Sequence, residues 1–190
     1  GERFVDESLG YVAIGKSAYN QPGQTHALIF DSAAVEELGR RIARCRICRD
    51  HPARGDADRL PHEPRPVAVL SSTARLLIAG QAPGLRVHES GLPFNDASGN
   101  RLRDWMGVTR EEFYDASRLA IVPMGFCFPG YDARGSDLPP RRECAPTWRR
   151  EVMALMPQIE VILVIGQYAA AWHLASRRQA SVTDTVRNWR

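Results

Sequence analysis

The sequence predicts an α/β protein built around a short, mainly parallel sheet with helices on both faces. One observation is three apolar runs at 75–79, 119–122 and 161–165, each too short for an ordinary helix. A second is that helix-periodic segments separate these runs, and alternating strands and helices are typical of parallel sheets. The third is size, since 190 residues with 44% hydrophobic and 25% charged residues suit one globular domain.

Composition and charge exclude several classes of protein. The longest apolar run, 161–165, is far shorter than the roughly 20 residues of a membrane span, so we expect no membrane contact. No apolar stretch follows the charged start of the chain, so we expect no secretory signal and a cytoplasmic location. A formal net charge of +3 permits contact with nucleic acid without requiring it. All but one of the 25 basic residues are arginine, which suggests forked phosphate binders or an arginine-biased genome.

An extension and a helix precede the first strand. Residues 1–30 lack a clear period and contain a turn-rich cluster, so they are interpreted as an irregular extension with one hairpin at most. The domain itself is assigned to 31–190. A helical pattern begins at Asp31 or Ser32 and continues to the first cysteine pair, with an apolar face formed by Val35, Leu38 and Ile42.

Three further helices are predicted after the first strand. One presents Leu102, Trp105 and Met106 on a single face. The others cover about 146–156 and 168–174, on either side of the third strand. This alternation continues the α/β pattern to the end of the third strand and beyond it.

The loops that follow the first two strands are the expected site of function. In parallel sheets ligands bind beyond the carboxyl ends of the strands, which is where 80–84 and 124–127 should lie. Gly80 and Gly84 around Pro83 allow the backbone to approach a ring or a phosphate closely. The segment has neither the Lys-Ser/Thr pair of a phosphate-binding P-loop nor the dinucleotide fingerprint, so nucleotide triphosphate and nicotinamide sites are poorly supported.

The four cysteines form two pairs, at 45 and 48 and at 127 and 144. Without a secretory signal, three interpretations remain open: a four-thiolate metal site, a redox Cys-x-x-Cys, or four unrelated buried thiols. Prolines follow closely after Cys48, Cys127 and Cys144, and rigid loop ends suit thiolate ligands. Zinc and iron–sulfur clusters both use four thiolates.

Together, the loop and the cysteines resemble the uracil-DNA glycosylase superfamily, and within it the iron–sulfur family-4 type. The resemblance rests on Gly80-Gln-Ala-Pro-Gly84, Gly91-Leu-Pro-Phe94 and Ser98-Gly99, which keep the register of the family's first motif without a gap. It extends over about 42–173. It implies an α/β/α sandwich and a 4Fe–4S cluster, with zinc as the alternative, held by Cys45, Cys48, Cys127 and Cys144.

The resemblance also implies a function. Such a protein acts as a monomer, takes a base out of single-stranded or uracil-containing DNA, and hydrolyses its N-glycosidic bond in base excision repair. Phe94 matches the aromatic residue that stacks on the base. The implied contacts to the substrate are made by Gly80, Ala82, Pro83, Gly84, Phe94 and Asn95.

The sequence departs from the family at positions that matter for catalysis. Gln81 stands where the family has a glutamate, and an amide cannot accept a proton as a carboxylate does. Pro123 stands where an asparagine recognises the uracil edge. His88 and Glu89 are the nearest titratable replacements, so Gln81, His88 and Glu89 are the predicted catalytic residues. No His-Pro-Ser motif is present up to residue 190, so the domain is expected to lack its last strand and second motif.

Three hypotheses follow from these observations. The first is an active glycosylase. The second is a non-catalytic member of the fold that binds a nucleobase or nucleic acid, which the residues at 81 and 123 favour. The third is a partner-binding protein whose metal site only holds its loops together.

Overall fold

Three short parallel strands lie at the centre of the computed structural model, which describes residues 32–188. These are β1 (Leu76–Ala79), β2 (Leu119–Ile121) and β3 (Val161–Val164), in the spatial order β2-β1-β3. Both neighbours of β1 run parallel to it. All three strands were predicted from their apolar runs, and the parallel α/β class is confirmed.

Eight α-helices occur in the described residues. They are α1 (Ser32–Ala43), α2 (Ile47–Asp50), α3 (Leu85–Ser90), α4 (Ala97–Met106), α5 (Arg110–Phe113), α6 (Cys144–Ala154), α7 (Gln167–His173) and α8 (Val182–Arg187). Short 3-10 turns cover Asp56–Asp58 and Ala175–Arg177. The predicted extension at 1–30 lies outside the described residues. None of the helices described is long and apolar enough to cross a membrane.

The helices cover the two faces of the sheet, and alternate residues of β1 point to each. On one face Ile78 packs with Leu102 of α4 and Phe113 of α5. On the other, Ala79 packs with Met124 and with Ala169 of α7. The result is the predicted three-layer arrangement, in which the last three residues of the central strand are buried.

The predicted apolar face of α4 is only partly correct. Leu102 is buried, but Trp105 is 78% exposed. The face that α4 buries includes Gly99, Leu102 and Arg103. Arg103 therefore belongs to the buried face of α4, and Trp105, which the sequence pattern predicted on that face, does not.

The loops after β1 and β2 remain paired beyond the sheet. The Met124 N–H donates to the Gly80 carbonyl and the Gly125 N–H donates to the Gln81 carbonyl, each at 2.9 Å. These hydrogen bonds place the two predicted site loops side by side at the carboxyl ends of their strands.

Candidate functional site

A pocket opens at the carboxyl ends of the strands. Its walls are mostly apolar, with few polar side chains, as is usual for sites that bind a small ring. The lining residues are Val67, Gly80, Gln81, Ala82, Pro83, Gly84, Val87, Pro93, Phe94, Asp96, Ser98, Ile121, Pro123 and Ile165. The pocket thus includes five of the six predicted substrate contacts, and Asn95 is the exception.

The Phe94 ring forms one wall of this pocket. A Cβ built on Gly80 would lie 3.4 Å from Phe94 Cζ, so the ring lies directly against the start of the motif loop. Its other side meets Phe113 edge-on, with ring centroids 6.0 Å apart. Phe94 is half-buried, which leaves part of the ring available to a ligand.

The backbone at Phe94 is strained, because its φ of 54° is an angle that residues other than glycine seldom adopt. Such strain persists where surrounding contacts hold it, and it is concentrated at functional sites. Here the buried Arg103 donates to the Phe94 carbonyl at 3.3 Å and to Asn100 Oδ1 at 2.6 Å. Tyr114 donates its hydroxyl to the Pro93 carbonyl at 2.9 Å.

Gly99 is required by the close approach of α4 to Phe94. A Cβ at position 99 would lie 1.8 Å from the Phe94 carbonyl oxygen, a separation that no side chain tolerates. Asp96 caps α4 by accepting from the Gly99 N–H at 2.9 Å, and it also accepts from the Ser98 hydroxyl at 2.6 Å. The Ser98-Gly99 pair of the motif therefore fixes the wall that carries Phe94.

Gln81 and Pro123 lie at the pocket as predicted. The Gln81 side chain rests on Gly166, where an added Cβ would come within 2.7 Å of its Cδ. Gly166 has a φ of +85° and follows β3, so this contact links the ends of β1 and β3. Pro123 offers no side-chain hydrogen bond to a ligand.

The remaining predicted site residues lie away from the pocket lining. His88 and Glu89 are on α3, and the His88 ring packs against His62 with centroids 4.4 Å apart. Burial, with the charges of His62 and Arg65, lowers the pKa of His88. Asn95 accepts from Arg110 at 3.2 Å. The catalytic roles of His88 and Glu89 remain predictions; the His88 ring packs against His62 and Phe128, and Glu89 is exposed.

A buried cation, Arg149, lies next to the pocket residue Pro123. Arg149 is 1% exposed and donates to the carbonyls of Val122 and Pro123 at 2.6 and 3.2 Å. It also contacts His173 Nε2 on α7, and no carboxylate pairs with it among the residues described. Burial and this guanidinium lower the pKa of His173 to about 4, so the imidazole is a neutral packing partner.

All four cysteine side chains face one cavity, although they come from distant parts of the sequence. Cys45 and Cys48 lie at the junction of α1 and α2, Cys127 follows β2, and Cys144 begins α6. Most other side chains around it are apolar, namely Ile47, Leu60, Pro64, Pro66, Phe126 and Trp148. The sulfur atoms are all free thiols.

Charged side chains lie at the edge of the thiol cavity. Arg141 donates to Asp58 and Glu143 at 3.1 and 3.3 Å, and Glu143 accepts the Ala53 N–H at 2.8 Å. Burial, followed by the charge of Glu143, raises the pKa of the Cys48 thiol to about 11. Burial raises the pKa of Cys127 to about 12. A thiophilic metal group would have to displace these protons on binding.

The donor set suits a group that takes four thiolates, as the 4Fe–4S cluster implied by the resemblance does. The Phe126 N–H already donates to Cys144 Sγ at 3.3 Å, a contact that would stabilise a thiolate. No three His, Cys, Asp or Glu side chains within residues 32–188 are arranged to hold a metal ion. The four cysteines all line this one cavity, and zinc and iron–sulfur clusters both take four thiolates.

Sequence reasoning missed two contributors to the site. Arg103 holds the Phe94 backbone, and Asp137 reaches the motif loop from the segment after β2. The spacing of Gly99, Leu102 and Arg103 could have indicated that Arg103 shares the buried face of α4. No signal in the sequence brings Asp137 to Gly84, because it comes from an irregular loop.

The comparison with protein families agrees with the position of this site. The family model described as the uracil DNA glycosylase superfamily matches residues 67–188. This match begins at the pocket residue Val67 and includes the motif loop, all three strands and two of the four cysteines. It does not distinguish the iron–sulfur type within the superfamily.

Proposed function

Since the chain belongs to the uracil DNA glycosylase superfamily, we propose that it removes uracil or another damaged base from DNA by hydrolysing the N-glycosidic bond. The substrate enters as a nucleotide rotated out of its strand, because the glycosidic atoms are out of reach inside a duplex. The pocket at the carboxyl ends of the strands receives the base.

The observation that carries this proposal is the Phe94 ring held against Gly80 in the pocket wall. A flipped base stacks on this ring, and stacking on an aromatic side chain contributes about 1–3 kcal/mol per base. The strained backbone, Arg103 and Gly99 hold the ring in place before the substrate arrives. A preformed wall of this kind avoids the cost of ordering it on binding.

The reaction separates charge, and the protein must stabilise both products of that separation. As the bond breaks, its electron pair leaves on the base while the sugar becomes cationic. The Arg149 cation donates to the carbonyls of Val122 and Pro123, and Pro123 lines the pocket, so its positive charge lies near a base that becomes negative there. The Gln81 amide lies at the pocket edge, where it can orient water or donate to the base.

The four thiols belong to the proposal as a structural site. Cys45, Cys48, Cys127 and Cys144 would hold the 4Fe–4S cluster, or zinc as the alternative. When bound, the group would cross-link the segments that carry its ligands. The four cysteines would then join the α1–α2 junction and the start of α6 to the loop after β2, and Pro123 of that loop lines the base pocket.

A cleavage assay tests the proposed function. The metal-loaded chain is incubated with single- and double-stranded oligonucleotides that contain one uracil, and the abasic product is cleaved with alkali. We expect a product band from uracil DNA and none from the matched thymine DNA. No product above a buffer control would overturn the enzyme proposal.

A second candidate function is nucleobase or DNA binding without cleavage. It is favoured by Gln81 and Pro123, which remove a carboxylate and an amide from positions where the family has them. Retained binding of uracil DNA, with the oligonucleotide intact after long incubation, would support this alternative.

A further inference from the structure

The Asp137 carboxylate lies beside Gly84 of the motif loop, although it comes from outside that loop. Its Oδ2 is 3.5 Å from the position that a Cβ on Gly84 would take. Asp137 also lines a second cleft whose wall includes Gln81, Ala82 and Pro83, the same residues that line the base pocket. The carboxylate therefore lies beside the motif loop, which also lines the base pocket.

The segment that carries Asp137 is anchored on both sides. Asp137 pairs with Tyr131 in an antiparallel bridge, and the Leu138 N–H donates to the Gly130 carbonyl at 2.9 Å. On the other side, Pro140 packs against Gly125, where an added Cβ would lie 3.1 Å from Pro140 Cβ. These contacts tie the loop to the backbone that follows β2.

Asp137 has a free carboxylate, in contrast to Asp96. Asp96 is occupied as the cap of α4, where it accepts from Gly99 and Ser98. No hydrogen bond or ion pair engages the Asp137 side chain within the described part of the chain. A general base needs a lone pair that is not already used, so Asp137 is the better equipped of the two.

The surroundings of Asp137 also favour proton acceptance. Although Asp137 is an exposed residue, partial burial of its carboxylate and the negative charge of Asp96 raise its pKa above the usual value. Asp96 lies at the start of α4 and is the charged group of the described residues that contributes to this rise. A carboxylate with a raised pKa is a stronger base while it is ionised.

We propose that Asp137 activates the attacking water in place of the carboxylate that Gln81 does not supply. This inference rests on the proposed glycosylase function. The bond between the base nitrogen and the sugar C1′ breaks, and its electron pair leaves on the base. Water oxygen then bonds to C1′, and one water proton passes to an Asp137 oxygen. That proton is later released to solvent, from which the base anion takes one.

Single-turnover cleavage of uracil-containing single-stranded DNA tests the proposal through Asp137→Asn, with Asp104→Asn as the matched control. Asp104 is exposed on α4, and its side chain makes no contact with the pocket. We expect Asp137→Asn to lower the cleavage rate about 100-fold or more, as the loss of a general base does, with unchanged DNA affinity. Asp104→Asn should keep the full rate.

The pH profile separates a catalytic role from a structural one. The wild-type rate should fall as the pH drops through the raised pKa of Asp137, because protonation removes the base. Asp137→Asn should lack this acid limb. Restoring a carboxylate at the motif position with Gln81→Glu in the Asp137→Asn background should recover at least a tenth of the wild-type rate.

The outcomes are distinguishable. Wild-type cleavage that Asp137→Asn leaves unchanged overturns the inference and keeps the proposed function. A slow Asp137→Asn variant that retains the wild-type acid limb also overturns it, because the base then lies elsewhere. Absence of wild-type cleavage overturns both.

Discussion

The thiol cavity and the base pocket lie in the same layered fold but are built in opposite ways. The cavity collects residues from four separate stretches, 45–48, 60–66, 126–127 and 141–148. The pocket takes most of its wall from the single stretch 80–98. Long-range side-chain contacts define the first region, and local backbone geometry defines the second.

The difference shows where each region is sensitive to change. In the pocket, Gly99 and the left-handed Phe94 leave the backbone no freedom to move. Around the cavity, none of the four cysteines has a left-handed backbone conformation, and they meet through their side chains. The base pocket should therefore fail through steric overlap, and the thiol cavity through loss of the metal group that we propose for it.

The largest effect is expected from Gly99→Ala. The new Cβ would lie 1.8 Å from the Phe94 carbonyl oxygen, so α4 and the pocket wall must separate. We expect a loss of more than about 4 kcal/mol in the free energy of unfolding, measured by urea denaturation, or no folded protein.

Gly39→Ala is the matched control for this substitution. Gly39 lies inside α1, where an added Cβ would meet only Leu70 Cδ1, at 4.0 Å, among residues 32–188. Alanine should stabilise this helix by about 0.5–1 kcal/mol. If both variants behaved alike, the close approach of α4 to Phe94 would be contradicted.

Next in size is Cys144→Ser, which tests the other region. If Cys144 is a ligand of an iron–sulfur cluster, the wild-type protein is brown, with broad absorbance near about 400 nm. The variant should lose this absorbance and about 2–4 kcal/mol of unfolding free energy. A colourless wild type that contains zinc would exclude the cluster. A colourless, metal-free wild type with a cost of about 1 kcal/mol for the variant would mean plain buried thiols.

Sequence reasoning succeeded where one physical signal dominates. Short apolar runs identified all three strands, because a central parallel strand such as β1 has both faces buried. The glycines at 80 and 84 and the rule for ligands at strand ends placed the pocket. Helix periodicity found the buried face of α1, with Val35, Leu38 and Ile42.

It was less successful where irregular loops or charged side chains determine the structure. The burial of Arg149 and Arg103 cannot be inferred from residue type, since arginine is rarely buried without a partner. Residue type also misled the prediction for Trp105, an aromatic residue that was expected to be buried and is exposed. Asp137 reaches Gly84 only through the path of an irregular loop, for which the sequence offers no period.

A moderate effect is expected from Phe94→Leu, which removes the aromatic face and keeps an apolar side chain. Loss of stacking should weaken binding of a uracil-containing oligonucleotide by about 5- to 150-fold, measured by fluorescence anisotropy. Trp105→Ala removes an exposed aromatic ring outside the pocket lining and should leave affinity unchanged. Equal losses in the two variants would argue against Phe94 as the stacking surface.

The smallest effect concerns the ion pair between Arg41 of α1 and Glu151 of α6, the helices that flank the thiol cavity. Both side chains are partly exposed, and Arg41 also lies over the Trp148 ring at 5.4 Å. Exposed pairs contribute little because water and salt screen them, so the coupling energy should stay below about 1 kcal/mol. A double-mutant cycle with Arg41→Gln and Glu151→Gln, followed by urea unfolding at low and high salt, measures it. A coupling above about 2 kcal/mol would contradict the minor role expected for this exposed ion pair.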